Sequence, residues 1–258
     1  MGIITLTSDW GLKDHYAGSV RGTILKQLPE AKIVDISHDV PPFSIKEAAF
    51  IVKNAYPNFP EGTVHIIGIN TEESDIYPHV AVSMNGQYFI GSDNGIFALI
   101  LDEEPEQIIE LNIPQDSDLF TFSTRDRFVK AAVHLASGKK LSELGEERSK
   151  LTEKILFKPV IEKDVIKGMV IYVDNYENVI TNITRDLFLK SRNGRKFRIV
   201  FRGGEISNIS DSYSEVPVGE ILALFGTTGH LEIAMNNGTA GSLLGLEMDD
   251  PVRIEFMQ

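Results

Sequence analysis

The sequence predicts an α/β protein in two parts: an N-terminal domain on a mostly parallel sheet, residues 1–161, and a small C-terminal β-barrel domain, residues 162–258. Three observations predict it. Apolar strand-like runs alternate with helix-period segments in the first part of the chain. A charged, weakly periodic stretch from Leu141 to Pro159 then reads as a connection. Beyond it, helical periodicity gives way to short strands separated by turn residues.

The first element, Ile3 to Thr7, is an alternating apolar run that stops at Ser8-Asp9 and Gly11. That is a strand delivering a carboxylate to a loop. Tyr16 to Leu28 follows as a helix with Val20, Ile24 and Leu28 on one face. Ala31 to Ser37 is the second strand, and the prolines at 41 and 42 keep the next stretch in a loop. Ser44, with Glu47 three residues on, predicts a capping box for a helix that ends before Pro57. Thr63 to Ile69 is nearly all apolar, as a strand buried on both faces should be, and it ends at Asn70. Asn85-Gly86 between Val80–Met84 and Gln87–Gly91 is a hairpin signal. A strand at Ile108–Leu111 precedes a helix through Val129, Val133 and Leu135, with Gly138 as its stop. In the second part, strands are predicted at Val165–Asp174, Lys196–Arg202, Glu220–Phe225, Leu231–Met235 and Val252–Phe256.

Composition narrows the function classes. The 258 residues carry a formal net charge of −12 and no cysteine. Acidity argues against phosphate-backbone binding, so no nucleic-acid partner is expected. Without cysteine there is no disulfide, thiolate nucleophile or cysteine-ligated zinc. No apolar run reaches the roughly 20 residues of a membrane span, and the chain opens directly into a strand, so the expected setting is cytoplasmic. The six histidines lack metal-ligand spacing, so no metal is expected; His65 and His134 read as structural. Phosphate-cradling and dinucleotide glycine motifs and the GxSxG elbow are missing too.

What remains is a set of strand ends carrying polar side chains: Asp9, His38, Asn70, Asp93 with Asn94, and Ser123 with Thr124. Such ends gathered at one sheet edge make a binding pocket. Asp9 has two readings, a helix cap or an acceptor for both hydroxyls of a vicinal diol such as a ribose. In the second part, Asp174, Asn178, Thr181 and Asn182 around Tyr176 suit a purine and an amino-acid zwitterion, or else form a plain turn. Gly226-Thr227-Thr228-Gly229 suits a carboxylate held by backbone N–H groups, or a plain hairpin turn.

Six blocks, in order and over almost the full length, resemble the S-adenosylmethionine (SAM) hydrolases, or SAM hydroxide adenosyltransferases, relatives of the fluorinases and chlorinases. They are Thr7–Asp14, Ile33–Pro42, Phe59–His65, Ser92–Gly95, Asp174–Ile183 and Gly229–Ala234. The resemblance implies an α/β domain followed by a β-barrel. It also implies a homotrimer with SAM bound between subunits, and displacement of L-methionine from the ribose 5′ carbon without a cofactor. By resemblance, Asp9 would hold the ribose hydroxyls, Asp14 and Asp174 the methionine end, and Asn178 the adenine side. Thr227 and Thr228 would take the methionine carboxylate, and Phe43 would wall the reacting carbon.

The departures fall on the nucleophile. In the hydrolases, water is oriented by an aspartate, an arginine seven residues on, and a histidine; the aligned residues here are Asn70, Tyr77 and Ser123. Position 124 is threonine, where hydrolases have glycine and fluorinases serine, and Glu177 stands where glycine is usual. The expected function is therefore hydrolysis of SAM to adenosine and L-methionine at a site rebuilt on Asn70, Ser123 and Thr124. Two alternatives stand beside it: an adenosyl-ligand binder with little turnover, and a related enzyme using another nucleophile.

Overall fold

The computed structural model describes residues 2–115, 120–155 and 157–257. The chain divides into two compact units, Met1–Leu156 and Phe157–Gln258.

The first unit runs β1 (Ile3–Ser8), α1 (Tyr16–Gln27), β2 (Lys32–Ser37), α2 (Ile45–Ala55), β3 (Val64–Gly68), β4 (His79–Met84), β5 (Gln87–Ser92), α3 (Ile96–Ile100), β6 (Gln107–Leu111), α4 (Val129–Ala136) and β7 (Gly145–Glu147). The sheet order is β2-β1-β3-β5-β4-β6-β7. Its β2-β1-β3-β5 half is parallel. The other half is antiparallel, because the Asn85-Gly86 turn sends β5 back along β4 and β6 and β7 follow suit. Both turn residues have positive φ, 52° and 69°, which asparagine and glycine tolerate and which matches the strand twist. The central strands of the sheet are buried on both faces, while the edge strands β2 and β7 are largely exposed. Ile4, Leu6 and Ile66 pack under Val20 and Ile24 of α1 and Ala132 of α4, while Ile67, Val80 and Phe89 pack under Ala48 and Val52 of α2 and Phe97 of α3.

Three local expectations change. Asp9 does not cap α1: the cap position is His15, with no side-chain bond to the helix. The chain needs those extra residues to turn from the sheet edge. Ser44 does stand at the start of α2, but its hydroxyl donates to the Glu47 carboxylate at 3.0 Å instead of accepting from a helix N–H. The stretch expected as a connection contributes β7, whose edge position needs no apolar periodicity; its residue 156 lies outside the described residues.

The second unit is antiparallel throughout: β8 (Val160–Glu162), β9 (Val165–Val173), β10 (Val179–Thr184), α5 (Arg185–Arg192), β11 (Lys196–Phe201), β12 (Gly204–Ile206), β13 (Ile221–Phe225), β14 (His230–Met235), α6 (Ala240–Leu244) and β15 (Pro251–Met257). The path β12-β11-β15-β9-β10-β14-β13, with β8 on β9, makes a barrel-like sheet. Its long strand β9 pairs with β15 through Val165–Met169 and with β10 through Val170–Val173. Gly168 marks that change of partner, since a β-carbon there would fall 2.6 Å from Asn182 Oδ1. Ile166, Val179, Phe188, Phe197, Ile233 and Ile254 fill the interior. Helix α5 was not foreseen; Thr184 caps it by accepting from Leu187 N at 3.3 Å, and Asn193 ends it at φ 42°.

His65 is structural. It sits between Thr5 of β1 and Gln87 of β5, 2.7 and 2.6 Å away, and is almost fully buried. The Gln87 amide is oriented by donating to the Phe59 carbonyl at 3.1 Å, so its oxygen accepts from His65 Nε2–H and Nδ1 accepts the Thr5 hydroxyl. Burial lowers the His65 pKa to about 4, although the Gln87 bond pulls the other way. Between pH 4 and 6.5 the unfolded chain therefore binds a proton that the folded chain refuses. This contribution is fully present above pH 6.5 and is lost as pH falls toward 4, by an amount of order 3 kcal/mol. Denaturant titrations at several pH values should show this slope flattened by about one proton in His65→Gln; an unchanged slope would mean that His65 is protonated in the fold.

Candidate active site

Because β1, β2, β3 and β5 run parallel, their carboxyl ends lie at one edge of the sheet, and antiparallel β4 starts there, with His79 opposite Ser92. Strand β2 lies on one side of β1 and β3 on the other, so strand order reverses at this point. Open α/β sheets bind ligands at such a switch point.

The residues that follow the strands meet there. Trp10, just past β1, lays its ring over the end of β3, and only glycine fits beneath it. A β-carbon on Gly68 would fall 2.6 Å from Trp10 Cζ2 and 3.3 Å from Thr124 Oγ1. Phe122 meets Trp10 edge-on at 5.5 Å and Tyr16 at 5.3 Å, completing an aromatic wall. Ser123 and Thr124 are buried at the start of a π-helical turn, Thr124–Phe128, that leads into α4. Such turns recur at functional sites because the extra residue re-aims side chains. The Thr124 hydroxyl is fully buried and finds no hydrogen-bond partner among the described residues, an arrangement that costs free energy unless a ligand or water supplies one.

Asp9 is half-buried at the same edge, and its Oδ2 accepts from the Phe43 backbone N–H at 2.8 Å. Phe43 is held at φ 65° and is 73% exposed. A bulky residue in the left-handed region is strained, and the Asp9 bond is one of the contacts that fix it. Beneath this pair runs a polar chain that sequence spacing did not reveal. The Ser8 hydroxyl donates to His38 Nδ1 at 2.6 Å, His38 Nε2–H donates to Asp35 at 3.1 Å, and Asp35 pairs with Arg21. Burial raises the Asp35 pKa, but hydrogen bonds from Arg21 and His38 outweigh it and hold the carboxyl below the usual range. The residue types match a hydrolytic triad, but every group in it is engaged by another, Ser8 by His38 and His38 by Asp35, and the chain joins the loops after β1 and β2. The His38 carbonyl also accepts from Gly11 N–H at 2.7 Å, tying the loop after β1 to the loop after β2.

The other predicted residues divide by environment. Asn70 is exposed at φ 47° just beyond β3, and Tyr77 is exposed in a loop closed by paired backbone bonds with Ser74. Asp14 is exposed ahead of α1. Asp93 and Asn94 are buried and engaged with backbone. Both Asp93 oxygens accept from Thr152 N–H at 3.0 Å, and burial raises the Asp93 pKa against the pull of that bond. Asn94 donates to the carbonyls of Ile69 and Asn70 at 3.3 Å and accepts from Ile96 N–H at 3.2 Å. Asn94 thus holds the start of the loop that carries Asn70, and Asp93 holds the segment around Thr152.

In the second unit, Asp174 and Asn178 form a self-braced turn. Asp174 accepts from the backbone N–H groups of Tyr176 and Asn178 at 2.8 and 2.9 Å and from the Asn178 amide at 3.0 Å. Glu177 adopts φ 59°, the conformation for which glycine is the usual choice. Its side chain compensates by accepting from Ser242 N–H at 2.8 Å; the Ser242 hydroxyl first, and this N–H after it, hold its carboxyl below the ordinary glutamate range. Thr227 and Thr228 lie in the β13–β14 hairpin turn, which Gly229 N–H closes on the Gly226 carbonyl at 2.9 Å. A buried carboxylate that sequence reading passed over, Glu232, accepts from the Tyr213 hydroxyl at 2.6 Å. Burial first, and the Asp174 charge after it, raise its pKa. Among the described residues no group of three acidic, histidine or cysteine side chains is placed to hold a metal, and no helix is long and apolar enough to cross a membrane.

A three-layer α/β unit with polar strand ends at its switch point, followed by an antiparallel barrel-like unit, defines the class: a small-molecule-binding α/β-plus-β protein. Residues 4–145 match the SAM hydroxide adenosyltransferase N-terminal domain and residues 168–253 its C-terminal domain. The chain is 31% identical to the (R)-S-adenosyl-L-methionine hydrolase of Thermus thermophilus, over 96% of this chain and 97% of that one. It is 30% identical to the hydrolase of the same name from Methanocaldococcus jannaschii, over 98% and 96%. An uncharacterized conserved protein from Thermotoga maritima superposes with a TM-score of 0.88 at 31% identity, over 98% of this chain and 99% of that one. The chain belongs to the SAM hydroxide adenosyltransferase family.

Trp10 is the only tryptophan, so its emission reports on this edge. Gly68→Ala should displace the indole, shift the emission to longer wavelength and cost about 1–3 kcal/mol, the range for overpacking. Unchanged emission together with unchanged stability would show that the ring does not rest on Gly68.

Proposed function

We propose that this protein cleaves SAM at the ribose 5′ carbon, giving adenosine and L-methionine, with the attacking water held by Thr124, Ser123 and Asn70. The observation that carries the reading is the buried, unpartnered Thr124 hydroxyl at the switch point, in a chain matched to the family in both of its units. The sulfonium leaves as a neutral thioether, so no general acid is required. The site needs to hold water in line with the carbon–sulfur bond and strip part of its hydration. A hydroxyl and an amide can do this without taking the proton, which passes to solvent after attack. In this reading Asp9, already fixed by Phe43, takes the ribose diol, and Phe43 covers the reacting carbon. Asp14, Asp174, Thr227 and Thr228 serve the methionine end and Asn178 the adenine. Asn94 acts from behind through the loop at Asn70, and Asp93 through the segment at Thr152. Ligand-type residues occur in both units, which supports a homotrimer as the working assembly.

Incubation with SAM and chromatographic separation should show adenosine and methionine in equal amounts. Lacking a carboxylate and an imidazole at 70 and 123, the protein should be slower than relatives that keep them by about 10²–10⁴-fold. Tight SAM binding without products would make it a binder instead. Asp9→Ala should weaken SAM binding by about 10–150-fold, the equivalent of losing a hydrogen bond to a charged group; calorimetry giving an unchanged affinity would remove Asp9 from the ligand site. Thr124→Val, which keeps shape and loses the hydroxyl, should lower kcat about tenfold with little change in KM. Light scattering should give three times the 28.7 kDa chain mass, and a monomer that binds SAM tightly would exclude the trimer.

A further inference from the structure

The aligned positions 70, 77 and 123 have lost a carboxylate, a guanidinium and an imidazole, yet the same three groups occur together elsewhere at this edge. His79 opens β4 with its side chain fully buried. Its Nε2–H donates to the Thr71 carbonyl at 3.0 Å, so Nδ1 is left as the acceptor for Arg127 Nη1–H at 3.2 Å. Arg127 also ion-pairs with Glu73, and Phe128 meets the His79 ring edge-on at 4.8 Å. Both nitrogens of His79 are engaged and neither reaches solvent, so this imidazole cannot meet a ligand or move a proton.

What the trio does touch is specific. Thr71 follows Asn70, Glu73 lies in the middle of the loop that Asn70 begins, and Arg127 sits in the π turn that starts at Thr124. One cluster therefore ties together the two segments that carry Asn70, Ser123 and Thr124. Arg127 holds this position although its Nε is buried without a partner among the described residues, a cost that an ordinary surface ion pair does not carry. The loop itself, Asn70-Thr71-Glu72-Glu73-Ser74-Asp75, has no glycine, so its path is imposed by side chains.

We propose that Glu73, Arg127 and His79 are positioning residues that clamp the 71–78 loop to the π turn and so set the spacing of the nucleophile site. The consequence for turnover rests on the hydrolytic reading above; the clamp itself does not. The experiment measures amide hydrogen exchange in residues 70–78 and 122–128, and SAM turnover, in the full-length protein and in Arg127→Met, Arg127→Lys and Glu73→Gln. Arg127→Met should speed exchange in both segments by about tenfold or more while leaving the second unit unchanged. It should also lower kcat by up to about 10²-fold with KM nearly constant, as small misplacements at a reacting centre do. Arg127→Lys, which keeps the ion pair and loses the fork, should recover part of both effects. Glu73→Gln changes an exposed side chain and folds even if the Arg127 variants do not; it should loosen the loop in the same direction. Exchange that stays the same in either segment, or kcat that does not move in a protein that turns SAM over, would overturn the clamp. If the unmodified protein makes no adenosine, the hydrolytic reading fails, and the exchange measurement alone decides the clamp.

Discussion

The pairing of β1 between β2 and β3 is the constraint on which the first unit depends. Both partners run parallel to it, so the two consecutive crossovers through α1 and α2 must deliver their carboxyl ends to the same edge. That edge is where the chain can afford irregular backbone, because the helices and the sheet below are apolar and well packed. The identity of Gly68 follows from this pairing: the loop after β1 returns over the end of β3, and Trp10 occupies the space a side chain would need. Thr124 meets the same spot from the π turn. A strand order without the reversal would separate these residues.

Polar groups near the edge fall into two kinds. Ser8, His38, Asp35 and Arg21 satisfy one another in a chain, as do Asp93 with Thr152 and Asn94 with Asn70 and Ile96. These support the loops. Thr124 is left unsatisfied, and Phe43 and Asn70 are held with positive φ. Unmet hydrogen bonds and backbone strain persist only where the surrounding structure over-determines them, and they concentrate where ligands act. Asp9 belongs to both kinds, since one oxygen fixes Phe43 while a carboxylate retains further acceptor sites.

Much of this was legible in the residues. The apolar alternation of β1, the continuous apolar run of β3 and the Asn85-Gly86 turn each have a local physical cause, and the polar strand ends of the first unit were legible as residues that could share one edge. Asp9 was legible as a ligand-type residue but not as the partner of Phe43, because that bond joins loops 34 residues apart. The trio of Glu73, His79 and Arg127 left no pattern at all: its members come from a loop, a strand end and a π turn. The π turn itself reads as ordinary helix, since it shares the apolar spacing of α4. Short elements such as β7 and β12 escaped because their pairing partners, not their own sequences, define them. Glu177 looked like a departure from glycine; its backbone keeps the left-handed conformation and its side chain finds a bond instead.

In the second unit, β9 belongs to both halves of the barrel, pairing with β8 and β15 through its first residues and with β10 through its last. The β9–β15 and β9–β10 ladders are therefore coupled, since opening either one loosens the strand that registers the other. The central strands β15, β9 and β10 should therefore exchange by opening together, while turns and the edge strands β8, β12 and β13 fluctuate locally. Closing β15 onto β9 also requires chain ends separated by most of the unit to meet, a high contact order that slows folding. A hairpin turn in such a unit, the Thr227–Thr228 turn among them, is anchored by its inner strand while it moves.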